Sequence, residues 1–479
     1  MKNRIQKTFL LSLLIVQMLL PSCSAGAKSQ KDGPGTVSKE TPQIRVKASL
    51  SQSKILQGSD GLVYLQVDLQ APENINPSFE SERKPTDFIV VLDRSGSMAA
   101  AKKMEYVHQA LQTLIQQLAP QDRFGLVSFD DNAETNYTLN YVSPQDKVYL
   151  QQKIFSIQPR GNTNISSGLM SALQMMRENK TPFRSERIIL ISDGLANRGI
   201  TDPNALSNLV TNSTQEGAWD KSPLVFALST IGVGLDFNEY LLSNLADRGQ
   251  GSYYYLQNPN GMYNILAQEF RGASEIYASN VELNLDLPPD IALTDASGYP
   301  IQRQGNHYVI QPGHLYQKQK KTLYLSFSLP SSYVYPSRPL GRLDLSFFVR
   351  GNFYQVPVVN SDLYVACIPI SRKYEMGESI NKKVYEDSWT KNNYGKALKE
   401  SADRMTKGDE TGAYQVMQTY RSKVSEANSA APSPALERQV GTADKAKTEM
   451  EKAFNSPQRE EDLKSVGKGF HYEGIQQQR

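Results

Sequence analysis

The 479-residue chain is poor in the side chains that most often mark chemistry: it has two cysteines, Cys23 and Cys367, and four histidines, His108, His307, His314 and His471. Two thiols exclude a disulfide-rich scaffold and any CxxC zinc or redox pair. The histidines are scattered and form no HExxH. The P-loop, GxSxG and GxGxxG patterns are missing as well, which removes the commonest zinc-protease, nucleotide-binding and serine-hydrolase signatures. An excess of one charge is also lacking, since 52 Lys and Arg stand against 49 Asp and Glu. Lys2, Arg4 and Lys7 lie in an acid-free N-terminal stretch, and without them the two signs balance. Electrostatic attraction to nucleic acid or to an acidic membrane is therefore excluded as the main business of the chain. No stretch approaches the ~18 unbroken apolar residues of a membrane-spanning helix.

What the sequence does contain begins with an address. Lys2, Arg4 and Lys7 precede a mainly apolar run from Phe9 to Leu20, and Leu20-Pro21-Ser22-Cys23 follows. A basic segment, a short apolar one and a small residue form a secretory signal pattern. It resembles a bacterial lipoprotein signal, which implies that residues 1–22 are a signal peptide and that Cys23 carries lipid. By the same resemblance Ser24 implies an outer-membrane lipoprotein of the bacterial cell envelope. Acyl chains would then be the membrane anchor. Residues 23–42 read as a solvated tether, with Val37 as their one large aliphatic side chain. Cys367, in the apolar run Leu363–Ile370, is expected to be a buried structural thiol.

Three compositional regimes follow. In residues 43–85, Val63, Leu65, Val67 and Leu69 alternate with polar neighbours, the period of a strand with one buried face. The same alternation returns in residues 276–370, at Val281/Leu283/Leu285/Leu287, Leu323/Leu325/Phe327/Leu329 and Leu343/Leu345/Phe347/Val349. Two early strands cannot stand alone. They are expected to pair with the late ones in an antiparallel β-sandwich, interrupted by an insert at 86–275. The insert alternates apolar strands (Asp87–Leu92, Phe124–Phe129, Arg187–Ser192, Leu224–Val233, Ser252–Leu256) with amphipathic helices, one opening at a Ser143-Pro144 capping box. Asp202 and Asp236 read as further helix N-caps. This is α/β patterning and predicts a doubly wound, mostly parallel sheet, with 134–140 as an antiparallel edge. Residues 371–479 predict a helical C-terminal region, with a helix pair broken at Gly408-Asp409, a linker at Ser429–Pro434 and a helix to about Phe454. Gly467–Arg479 offers little core material. Trp219 and Trp389 are expected to be partly buried, and Tyr253-Tyr254-Tyr255 to pack a strand.

The chemistry sits in the insert. The strand Phe88–Leu92 runs into Asp93-Arg94-Ser95-Gly96-Ser97, and a tight turn there aims alternate side chains into the crevice at the carboxyl end of a sheet. Gly161-Asn162-Thr163-Asn164 precedes an amphipathic helix, and Asp193 follows the apolar Ile189–Ile191. Two carboxylates and three hydroxyls at strand ends form an oxygen donor set for a hard cation.

These segments, with "VVLDRSGSM", "DRFGLVSFDDNA", "GNTNISSGL", "IILISDGLANRG" and "STIGVGLDFNEYLLSNLADRGQGSYYYL", resemble the von Willebrand factor A (vWA) domain and its metal-ion-dependent adhesion site. The resemblance covers nearly the whole insert, and the full chain is similar to bacterial vWA lipoproteins. It implies that Ser95, Ser97 and Thr163 give hydroxyls directly to Mg²⁺ (or Mn²⁺ or Ca²⁺), with Asp93 and Asp193 acting mainly through water. Arg94, Asn162, Asn197 and Arg198 are the expected ligand-contacting rim, and no catalytic residue is assigned. A cation held by neutral hydroxyls keeps most of its charge and attracts a partner carboxylate. The expected function is therefore capture of a protein or extracellular polymer that presents Asp or Glu, with no nucleic-acid partner. Two alternatives are a metal-assisted hydrolase with an unidentified base and an envelope scaffold with a vestigial site.

Overall fold

The computed structural model describes residues 36–479 apart from 41–43, 73–84, 182–183, 215–223, 225, 259–260, 275, 350–351 and 360–362. Cys23, Ser24, the signal stretch and Trp219 lie outside the described residues. The first strands are β1 (Thr36–Glu40), β2 (Arg45–Leu50), β3 (Lys54–Leu56) and β4 (Leu62–Gln70), four where two were expected, and the tether expected over 23–42 is cut short because β1 pairs antiparallel with β2.

The insert begins with β5 (Thr86–Asp93), which is buried along its whole length. It continues through α1 (Lys103–Gln117), β6 (Arg123–Phe129), β7 (Ala133–Tyr141), α2 (Pro144–Ser156), α3 (Ile165–Glu178), β8 (Ser185–Ser192), α4 (Pro203–Thr214), β9 (Ala227–Val233), α5 (Glu239–Arg248), β10 (Gln250–Leu256) and α6 (Met262–Ser274). The sheet order is β10-β9-β8-β5-β6-β7, parallel except for the β6–β7 pair. Runs such as Phe88-Ile-Val-Val-Leu92 are apolar on both sides because helices cover both faces. Val90, Leu92, Val107, Leu111 and Leu266 fill one core, and Ile89, Val91, Leu169, Leu190 and Leu245 fill the other. The predicted capping box forms: Ser143 Oγ accepts from Asp146 N while the Asp146 carboxylate accepts from Ser143 N. Asp202 caps α4 through Ala205 N at 2.8 Å. Asp236 does not cap α5. Asn238 does, accepting from Leu241 N, and Asp236 pairs with Lys464 at 3.3 Å.

After the insert come β11 (Ile276–Asp286), β12 (Ala292–Ala296), β13 (Ile301–Gln304), β14 (His307–Tyr316), β15 (Lys320–Ser328), β16 (Tyr335–Pro339), β17 (Arg342–Val349), β18 (Asn352–Val359) and β19 (Tyr364–Ile368). The early and late strands do pair. β4 runs antiparallel to β15, setting Leu65 opposite Leu325 and Val67 opposite Leu323. Two five-stranded sheets, β1-β2-β4-β15-β12 and β13-β14-β11-β17-β18, enclose one core. A third sheet, β16-β19-β3, was not anticipated. Its β19–β3 pair is parallel and places Cys367, fully buried, beside Ile55.

The C-terminal helices are α7 (Lys373–Glu378), α8 (Lys382–Asp387), α9 (Tyr394–Thr406), α10 (Glu410–Ala430), α11 (Pro434–Phe454) and α12 (Arg459–Gln478). A π-helical segment over Ser388–Asn393 joins α8 to α9, and Trp389 on it is buried against Tyr64 of the sandwich. The linker is shorter than expected, because α10 runs to Ala430. The expectation for Gly467–Arg479 is overturned. α12 buries Phe470 among the helices and Ile475 in the core of the insert. The reason is a glycine pair: a Cβ on Gly395 would lie 2.4 Å from Gly474 O, so α9 and α12 touch backbone to backbone without large side chains.

Buried polar contacts link the three regions. Fully buried Arg187 (β8) reaches Glu269 (α6) at 2.5 Å and the Tyr316 hydroxyl of the sandwich at 3.0 Å. Tyr254 and Ser229 also donate to Glu269, each at 2.7 Å. From α12, Lys468 donates to Phe237 O and Glu239, both at 2.6 Å, and Arg479 pairs with Asp247 at 2.7 Å while lying over the Tyr299 ring. His471 sits edge-on to Tyr253.

Arg187→Met strands the Glu269 carboxylate and is expected to cost about 3–5 kcal/mol, with Glu269→Gln in the same chain recovering most of it. Urea unfolding reads the difference, and an Arg187→Met variant as stable as wild type would refute it. Burial pushes the His471 imidazole down to about 4, aided by repulsion from Lys399, Lys468 and Arg479. Its neutral form is favoured on folding, so this stabilisation is complete above the ordinary imidazole value of 6.5 and is lost as pH falls toward 4. Between pH 7 and 5, His471→Gln should lose less stability than wild type. Equal losses would contradict this.

Candidate metal centre

Parallel pairing of β5 with β8, in which Leu92 lies opposite Ile191, brings two strand ends side by side. Asp93 leaves one end and Asp193 follows the other. Both are fully buried. The chain after β5 turns at once: Ser95 N donates to Asp93 Oδ1 at 2.8 Å, and Ser192 Oγ donates to Asp93 Oδ2 at 2.5 Å. Ser97 Oγ donates to Asp193 Oδ1 at 2.7 Å, and the Ser95 and Ser97 hydroxyl oxygens are 3.1 Å apart.

The loop before α3 is stitched to this turn. Gly96 N donates to Gly161 O at 3.2 Å, and Arg160 N donates to Arg94 O at 2.6 Å. Thr163, buried, is gripped by the loop after β8: its N–H donates to Asn197 Oδ1 at 2.8 Å, and its carbonyl accepts from Asn197 N and Arg198 N. Gly194 permits the close approach, since a Cβ there would lie 2.9 Å from Thr163 Oγ1 and 3.7 Å from Asp93 Oδ2. The structure thus brings Asp93, Ser95, Ser97, Thr163 and Asp193 to one crevice. Ser97 and Gly96 face solvent, while the other donors are buried.

The four rim candidates separate. Asn162 and Arg198 are exposed, and both reach Asp131, at 2.7 and 3.2 Å. Asn197 is the brace of Thr163. Arg94 is only 7% exposed and turns back into an ion-pair cluster with Asp130 at 3.0 Å and Glu134 at 2.7 Å, which Arg160 completes. It does not line the rim. Sequence reasoning missed Ser192 and Lys103. Ser192 stands directly before Asp193, so its position was readable. Lys103 Nζ donates to Asp193 Oδ2 at 2.5 Å from the first turn of α1, and only the three-dimensional path of that turn reveals it.

Burial holds the Asp93 carboxyl up at about 6, although the Ser192 and Ser95 hydrogen bonds pull it down. Two buried carboxylates and three hydroxyls fit a hard, oxygen-preferring cation. Among the described residues no group of three or more His, Cys, Asp or Glu gathers, so the donor set is hydroxyl-rich rather than of the thiolate or imidazole type. The histidines are elsewhere. His108 packs edge-on to Phe155, His307 pairs with Asp286, His314 is buried in β14, and His471 is on α12.

A doubly wound sheet with this turn at its carboxyl edge defines the vWA class of α/β domain, and the central domain has that fold. Residues 88–195 match the family model of the von Willebrand factor type A domain. Among solved structures, a von Willebrand factor type A protein from Catenulispora acidiphila is similar over 87% of this chain and 92% of its own, at 15% identity and a TM-score of 0.62. The ArnB paralog VWA2 from Sulfolobus acidocaldarius is similar over 89% of this chain and 98% of its own, at 18% identity and a TM-score of 0.55. The fold of most of the chain, beyond the central domain alone, thus has counterparts among solved structures. The uncharacterized protein YfbK of Escherichia coli is 27% identical over 47% of this chain and 37% of its own length. The inter-alpha-trypsin inhibitor heavy chain H2 of Mus musculus is 27% identical over 47% of this chain and 23% of its own. The chain therefore spans well under half the length of either of these curated relatives.

Proposed function

We propose that the vWA domain is a binding module whose crevice takes Mg²⁺, or Mn²⁺ or Ca²⁺, and through it captures a carboxylate on a partner. The observation that carries this reading is the convergence of Asp93, Ser95, Ser97, Thr163 and Asp193, with Ser97 open to solvent. Ser95, Ser97 and Thr163 would hold the ion, and the two aspartates would orient its waters. The bound ion supplies a concentrated positive charge. The partner is a protein or an extracellular polymer that presents Asp or Glu. Adhesion is favoured over hydrolysis because no histidine lies at the crevice and both aspartates are engaged.

The setting we propose is the bacterial envelope, with Cys23 lipidated on the outer membrane. The basic and apolar segments before Cys23 support it, and among the described residues no helix is long and apolar enough to cross a membrane.

Calorimetry with Mn²⁺ tests the site. Wild type should bind, and Ser95→Ala/Ser97→Ala should lose at least about tenfold in affinity, each removed ligand costing of order 1 kcal/mol or more. Equal heats would favour the vestigial scaffold. Labelling cells with radioactive palmitate tests the anchor: wild type should incorporate label, and persistence of the label in Cys23→Ser would defeat the lipid claim.

A further inference from the structure

Lys103 has no place in the donor set just described, yet it reaches the middle of it. Its ammonium donates to Asp193 Oδ2 at 2.5 Å, while Oδ1 of the same carboxylate accepts from Ser97. The lysine is 7% exposed. Its stem lies against the loop after β9, where a Cβ on Gly234 would come 3.0 Å from Lys103 Cε and 3.2 Å from Nζ. It is therefore threaded between α1 and that loop.

The local backbone is bent to put it there. Ala101 and Lys102 are both left-handed, with φ of 50° and 56°. Successive non-glycine residues in that region persist only where the surroundings hold them. α1 then starts at Lys103, so a cation occupies the first turn, where the helix dipole disfavours it. Both features run against local preference, and the contact with Asp193 offsets them.

We infer that Lys103 is a tethered counter-cation of the metal crevice: it holds Asp193 in place when no divalent ion is bound, weakens the hold on that ion, and leaves the loaded crevice more positive toward an incoming carboxylate. This rests on the metal-binding reading above and goes beyond it by assigning a positioning residue outside the oxygen donors. With Asp93 and Asp193 ionised, a site with two negative charges would neutralise a divalent ion. The same site with Lys103 leaves one positive charge over, which is what a single carboxylate cancels.

The test compares wild type with Lys103→Met, Lys103→Gln and Lys103→Arg in the full chain. Mn²⁺ affinity is read by calorimetry and thermal unfolding is followed in chelator. Removing one unit charge a few ångströms from the ion should tighten Mn²⁺ binding by about tenfold in the Met and Gln variants. Lys103→Arg, which keeps the charge, should stay near wild type. In chelator the Met and Gln variants should melt below wild type, and saturating Mn²⁺ should close that gap. Binding that is unchanged or weaker in both neutral variants overturns the role of Lys103 while leaving the metal centre standing. No Mn²⁺ uptake by wild type or any variant removes the metal centre and this role with it. Uptake by the neutral variants alone would mean that Lys103 keeps the wild-type crevice empty, and it overturns the reading of a loaded crevice made more positive. Should Lys103→Met fail to fold, Lys103→Gln carries the comparison.

Discussion

Two aspartates are buried side by side where the parallel strands β5 and β8 end, and much of the crevice can be understood as the supply of donors to two carboxylates cut off from water. The β5–β8 register puts Asp93 and Asp193 in one place. Burial favours the neutral form of the Asp93 carboxyl. The protein answers with donors of graded strength: a backbone N–H and two serine hydroxyls, from Ser192 and Ser97, and the Lys103 ammonium. Burial is the main influence on Asp93 and holds its carboxyl up at about 6, with repulsion from Asp193 a minor contribution.

The rest of the molecule braces this edge without covering it. The sandwich grips the far side of the central sheet through Arg187, Glu269 and Tyr316. The helical region grips α5 and β10 through Lys468, Arg479 and the Tyr472 ring, which packs edge-on to Tyr253 and Tyr255. Such joints are costly to desolvate and add little net stability, but they specify one arrangement of three regions. Ser97, Leu195, Asn197 and Arg198 remain exposed at the crevice mouth.

The fold was legible wherever periodicity was strong. Period-two alternation placed β4, β15 and β17, and all-apolar runs placed β5 and β8, because burial on one face or two leaves a direct trace in composition. What stayed hidden depended on contacts remote in sequence. α12 looked too poor in apolar residues to matter, yet Gly395 and Gly474 make closeness do the work of bulk. Likewise DxSxS, Thr163 and Asp193 were readable as strand-end residues. The retreat of Arg94 was not, since it depends on Asp130 and Glu134, which sequence alone does not bring together.

The choice between capture and turnover comes down to what surrounds the donors. Turnover needs a group free to take and return a proton within reach of the reacting atom. Here Asp93 is held by Ser192 and Ser95, Asp193 by Ser97 and Lys103, and the histidines make other contacts, His108 with Phe155, His307 with Asp286 and His471 with Tyr253. Hydroxyl ligands leave an ion's charge largely undiminished, and a lysine fixed behind Asp193 adds to it. On the proposed reading, a site so arranged would hold an anion through its ion and would offer no free group to carry a proton.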